Sequence, residues 1–61
     1  MADAVFEWYT DAKGKFRFRL KAPNGEIIAV SEAYVSKESC ANGIESVKKN
    51  APKAKVVEVK A

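Results

Sequence analysis

Residues 16–21 read Phe-Arg-Phe-Arg-Leu-Lys, an unbroken alternation of apolar and basic side chains. Successive side chains of a strand point to opposite faces, so a period of two commits this segment to a half-buried strand with one apolar and one cationic face. A strand leaves its backbone groups open on both sides, and the chain must supply neighbours.

The first neighbour is VFEWYT, residues 5–10, joined to the alternating segment by DAKGK. A hairpin follows in which Thr10 faces Phe16 across a five-residue connection with Gly14 at positive φ. In that register Trp8 falls opposite Phe18 and Phe6 opposite Leu20, which gathers the large apolar groups on one face. APNG, residues 22–25, is a second turn: Pro23 presets φ, and Asn24 and Gly25 tolerate positive φ. It leads into EIIAVS as a third strand, adding Ile27 and Ala29 to the apolar face. The opposite face carries Val5, Glu7, Tyr9, Arg17, Arg19, Lys21, Ile28 and Val30, a mixture of charge and apolar surface.

Periodicity then changes. In SKESCANGIESVKKNAP, residues 36–52, Cys40, Ile44, Val47 and Ala51 recur at helical spacing with Gly43 beside them, one stripe to face the sheet. Ser36 is the expected N-cap, Glu38 suits the positive end of the dipole, and Lys48 and Lys49 suit the carbonyl end. Asn50 is the expected left-handed cap and Pro52 the stop. Gly43 costs roughly 1 kcal/mol relative to Ala inside a helix, so a close approach is expected there, with Trp8 or Phe18 as its neighbour. The final residues, AKVVEVKA, alternate as a fourth strand, with Val57 and Val59 on one side and Val56, Glu58 and Lys60 on the other; that strand needs an edge to pair with.

All of this fits one domain, residues 1–61, in the α+β class: a three-stranded antiparallel meander, one helix and a C-terminal strand. At 61 residues, folding buries only about 60% of the surface of the unfolded chain. Small domains offset this with disulfides, a structural metal or association, and one Cys with no His leaves association. The chain opens Met-Ala-Asp-Ala without a basic segment leading into an apolar one, has no apolar run of spanning length and carries a single Cys, which together predict a cytoplasmic protein. Disorder is expected only in the first few residues. Eleven basic against eight acidic side chains leave a net charge of +3, a modest bias towards anionic partners.

From Gly14 to Pro52 the chain resembles the YegP-like family of small bacterial and archaeal proteins, a domain of unknown function. FRFRLKAPNGEII, SEAYVSKESC and NGIESVKKNAP carry the resemblance, in family order and spacing. It implies two β3-α-β units, as tandem repeats or as a homodimer, building one continuous sheet with exchanged C-terminal strands. Here the exchanged strand is Lys55, Val56, Val57, Glu58 and Val59. The resemblance brings no activity, cofactor or catalytic residue.

The candidate chemistry is sparse. Cys40 lies on the apolar stripe, where a free thiol packs as a small hydrophobe, and no His is present to activate it. The carboxylates are scattered singly, the serines lack a base, and no glycine loop suits a phosphate, so no enzyme, metal site or cofactor is expected. The reading is a non-enzymatic homodimeric interaction or binding module. The alternative is weak contact with nucleic acid or another polyanion through Tyr9, Arg17 and Arg19, where cations flank an aromatic on one sheet face. Against it stands a solvated face on which Arg17 meets water and Arg19 pairs with Glu7. The same face, through Tyr9, Ile28 and Val30, also suits a protein partner.

Overall fold

A computed structural model describes residues 3–60. Met1 and Ala2, at the end where disorder is expected, and Ala61, the last residue of the C-terminal strand motif, lie outside the described residues. Strands β1 (Val5–Thr10), β2 (Phe16–Lys21) and β3 (Ile27–Val30) form an antiparallel meander with β2 in the centre, followed by helix α1 (Lys37–Asn50). The class is α+β, as the two periodicities require.

The β1–β2 hairpin has the expected register in all six pairs, Thr10 against Phe16, Trp8 against Phe18 and Phe6 against Leu20 among them. Its connection is organised by Asp11, whose Oδ1 accepts from the backbone N–H groups of Lys13 and Lys15, both at 2.9 Å. Gly14 takes φ 79°, a conformation that favours glycine.

The third strand departs from the expectation that both Ile27 and Ala29 join the apolar face. Arg19 pairs with Val30 and Leu20 with Ala29, but Lys21 pairs with Ile27, so a one-residue shift falls at Ile28. Ala22 and Glu26 close the turn through a 2.8 Å hydrogen bond, which fixes one register. Keeping Ala29 beside Leu20 fixes another, and the bulge reconciles them. Ile27 therefore lies across from Lys21, not in the layer of Phe6 and Leu20, and is exposed.

Beyond Val30 the chain continues along the same flank of β2. Tyr34 exchanges both backbone hydrogen bonds with Phe16, at 2.7 and 2.8 Å. Ser31 donates its N–H to the Phe18 carbonyl at 2.8 Å, while its Oγ accepts the Phe18 N–H at 2.9 Å. A side-chain hydroxyl thus stands in the ladder where a backbone carbonyl is absent.

Helix α1 begins as its sequence indicates, with Ser36 Oγ accepting from the Ser39 N–H at 3.1 Å. Its end differs. Asn50 stays right-handed (φ −95°, ψ −33°), its side-chain amide donates to the Ser46 carbonyl at 2.8 Å, and the chain tightens into a 3-10 turn at Ala51–Lys53 containing Pro52. Proline at the start of a turn lacks only an N–H that would have no partner there, so it extends the rotation instead of stopping it. Ala51 consequently lies exposed rather than on the sheet.

Helix and sheet meet over β2. Phe18 and Cys40 are the buried centre, 6% and 2% exposed. Phe6 meets Phe18 edge-on and Tyr34 stacks on its other side, with centroids 6.0 and 6.1 Å apart. Gly43 lets the helix approach this stack. A Cβ built there would overlap Tyr34 Oη and sit 2.8 Å from Tyr34 Cζ and 3.0 Å from Phe18 Cε2. The glycine's neighbours are thus Tyr34 and Phe18, not Trp8.

Residues 54–60 run on without a ladder partner among the described residues. Their strand pattern is therefore not realised within one chain: Val57 and Val59 are 73% and 86% exposed and Val56 is fully so.

Candidate functional site

Two surfaces hold the side chains that sequence reasoning singled out. The first is the sheet face away from the helix, where β1 and β2 bring Tyr9, Arg17 and Arg19 together. Tyr9 lies directly across from Arg17, and the Arg19 guanidinium sits 5.3 Å from the centre of the Tyr9 ring. This is the spacing of a cation–π contact.

Both guanidiniums also have carboxylate partners. Arg19 Nε donates to Glu7 Oε1 at 2.8 Å, the pair expected across the hairpin, and Lys21 Nζ approaches Glu7 Oε2 at 3.7 Å. Arg17 does not end in solvent: its Nε donates to Asp11 Oδ2 at 2.9 Å. The hydrogen bond from Arg19, reinforced by the charge of Lys21, holds the Glu7 carboxyl below its ordinary value. That from Arg17, with the backbone N–H of Lys15, does the same for Asp11. This face thus carries two separate ion-pair groups, Arg17 with Asp11 and Arg19 and Lys21 with Glu7.

The second surface is the outer edge of β1. Asp11 donates its N–H to the Lys15 carbonyl, and alternation along an antiparallel pair then assigns Tyr9, Glu7 and Val5 to bonding with β2. The backbone groups of Phe6, Trp8 and Thr10 point outward. Under this edge lies a cleft of about 180 Å³ bounded by Trp8, Lys37, Cys40, Ala41 and Ile44. Trp8 is 53% exposed, and the Lys37 ammonium stands 5.6 Å from its ring centre. Cys40 closes the floor as a buried free thiol. Of the five residues singled out for exchange, Val56, Val57 and Val59 expose their side chains, and Lys55 and Glu58 lie beside them, also exposed.

Asp11, Tyr34 and Lys37 were not legible as site residues. An aspartate opening a glycine-containing connection is a signal for an Asx turn, and it points to Asp11. Tyr34 and Lys37 act only through neighbours distant in sequence, which periodicity does not reveal.

A small α+β unit of this kind, an antiparallel meander under a single helix with Glu7 and Asp11 of its open face tied into ion pairs, defines a structural class before any activity. The chain belongs to the family described as a domain of unknown function, DUF1508, whose model matches residues 11–58. It is 70% identical over 54 residues to a UPF0339 protein of Treponema denticola, covering 88% of this chain and 93% of that one. Against the UPF0339 protein YegP of Yersinia pestis it is 47% identical over 60 residues, 98% of this chain and 54% of the relative. The fold is similar to the solution structure of a Haloferax volcanii protein, at a TM-score of 0.85 and 50% identity over 97% of this chain and all of the other.

Proposed function

We propose that the chain is a cytoplasmic, non-enzymatic interaction module that works as a homodimer, each copy donating residues 55–59 as a strand to the other. The observation carrying this reading is the segment itself. Val56, Val57 and Val59 lie exposed, outside any helix or strand among the described residues, a state that leaves apolar area in water. The Yersinia relative supports it, since the matched unit fills about half of that chain and leaves room for a second. The non-enzymatic part rests on the work its polar groups already do: Glu7 and Asp11 hold arginines, Ser31 and Ser36 complete backbone ladders and caps, and Cys40 packs against the sheet.

Light scattering on the full chain, of 6.7 kDa, and on a chain ending at Ala54 tests the proposal. The full chain is expected at twice its mass, and the shortened one as a poorly folded or aggregating species. A shortened chain that remains a stable, well-dispersed monomer overturns strand exchange.

The open face supports a second reading, contact with nucleic acid or another polyanion through Tyr9, Arg17 and Arg19. It is favoured by three cations against two carboxylates in the ion pairs of this face and by the Arg19–Tyr9 contact. Each guanidinium already has a carboxylate beside it, whose negative charge opposes the approach of a phosphate, which places this reading second. Titration of fluorescent single-stranded and duplex oligonucleotides at low and near-physiological salt decides it. Binding that weakens with salt and falls in Arg17→Ala/Arg19→Ala supports the contact; no binding at low salt removes it.

A further inference from the structure

Resting on the reading of the chain as an interaction module, we infer that the open face of the sheet docks a helix of another protein, one that is mainly apolar and carries carboxylates along the middle of its contact stripe.

Side chains of cross-strand partners share a face, so the pairing fixes what the open face holds. Val5, Lys21 and Ile27 form one row across the three strands, and Glu7, Arg19 and Val30 form the next. The face is therefore basic along β2 and aliphatic at its margins. Val5, Ile27 and Val30 are 46%, 48% and 58% exposed, an apolar patch rimmed by charge of the kind that marks a site of protein contact. The one-residue shift in β3 is what sets Ile27 on this face instead of in the layer of Phe6 and Leu20. Bulges re-aim side chains in this way beside functional surfaces.

Charge defines the partner's chemistry. Three cations meet two carboxylates in the ion pairs of this face. Each arginine uses its Nε for its own carboxylate, and a guanidinium has five N–H donors, so both keep donors for an incoming acid. The surplus is one positive charge, which suits a few carboxylates set in apolar surroundings. A nucleic-acid strand instead brings a phosphate with every nucleotide and sets sugars and phosphates against the aliphatic margins.

Shape selects a helix. Two strand spacings put β1 and β3 about 10 Å apart, close to the width of one helix. A helix satisfies its own backbone, whereas an extended segment laid flat on a sheet face turns its N–H and C=O groups towards a surface with no ladder for them.

The test titrates the full nitrogen-15-labelled chain with a panel of synthetic peptides of about 18 residues, long enough to hold a helix in water. Each carries a leucine stripe with two glutamates at its centre, in differing register. Companion peptides replace the glutamates by lysine or the leucines by serine, and an oligothymidylate serves as the polyanion. The expected result is a shift of the Val5, Arg19, Ile27 and Val30 amides with a leucine–glutamate peptide and with neither companion. Ile27→Ser/Val30→Ser, which alters only side chains already standing in water, is expected to weaken that binding roughly tenfold or more. Equal binding by the serine peptide or by oligothymidylate, unchanged in the variant, makes this a polyanion contact and overturns helix docking. Absence of any shift on this face across the panel overturns it too. Light scattering on the same samples separates the two readings: a dimer with a silent face loses the docking alone, and a monomer whose face responds loses the homodimer alone.

Discussion

Gly43 shows how one missing methyl group positions a helix. Alanine there gains roughly 1 kcal/mol of helix propensity, yet its Cβ meets Tyr34 and Phe18, two rings stacked on each other with Phe18 buried. Overpacking of that kind costs about 1–3 kcal/mol, so Gly43→Ala is expected to destabilise, read as a lowered denaturant midpoint with unchanged slope. A raised midpoint sinks the close-packing account. Ser31 has a comparable role through one oxygen. Ser31→Ala leaves the N–H of buried Phe18 without its acceptor, at a cost of about 1–3 kcal/mol, whereas Ser31→Thr retains the hydroxyl and most of the stability. The carboxylates make stability depend on pH. Glu7 and Asp11 titrate in the folded chain below their ordinary values of 4.5 and 3.8, so their contribution is complete above those values. It is lost as pH falls through the lower folded-state values. Denaturant melts across that acid range are expected to fall more steeply for the wild type than for Glu7→Gln/Asp11→Asn. Both pairs reach solvent, so added salt flattens the difference.

At the scale of elements, the chain's own pattern settles those parts whose partners are near in sequence. The β1–β2 register follows from alternation and one glycine turn, and the helix start follows from Ser36. Removing that cap by Ser36→Ala is expected to cost about 1 kcal/mol and, at about 4–8 °C per kcal/mol for a domain this small, to lower the melting temperature measurably; an unchanged melt refutes the cap's role. Where two local demands compete, the pattern does not show which prevails. The shift at Ile28 arises because turn closure at Ala22 and Glu26 and the pairing of Ala29 with Leu20 specify registers one residue apart. Asn50 and Pro52 are individually good terminators, yet together they continue into a 3-10 turn. Tyr34 was illegible for another reason: its place depends on the ladder with Phe16 and the space left by Gly43, both remote in sequence. On the open face, the Tyr9, Arg17 and Arg19 cluster was legible from the hairpin register. The engagement of Arg17 by Asp11 depended on turn geometry and was not.

At the scale of the whole molecule, the amount of apolar surface left in water is the strongest argument for a second copy. The helix packs over β2, and Trp8 of β1 and three C-terminal valines are left exposed. Fully burying a valine side chain contributes about 1.5–3 kcal/mol. Exchange buries Val57 and Val59 of each copy, four in a dimer, an amount comparable to the total stability of a small domain. If folding and association are coupled in this way, stability belongs to the pair and follows mass action. Each tenfold rise in protein concentration then adds about 1.4 kcal/mol per dimer. Thermal melts of the full chain over a hundredfold concentration range are therefore expected to shift upward with concentration. Val57→Ser/Val59→Ser is expected to melt lower and with no such shift, because burying two hydroxyls without partners in place of two valines removes the gain from pairing. A full-chain midpoint independent of concentration, alongside a monomeric mass, means that one chain carries its whole stability and that the exposed valines serve a different partner.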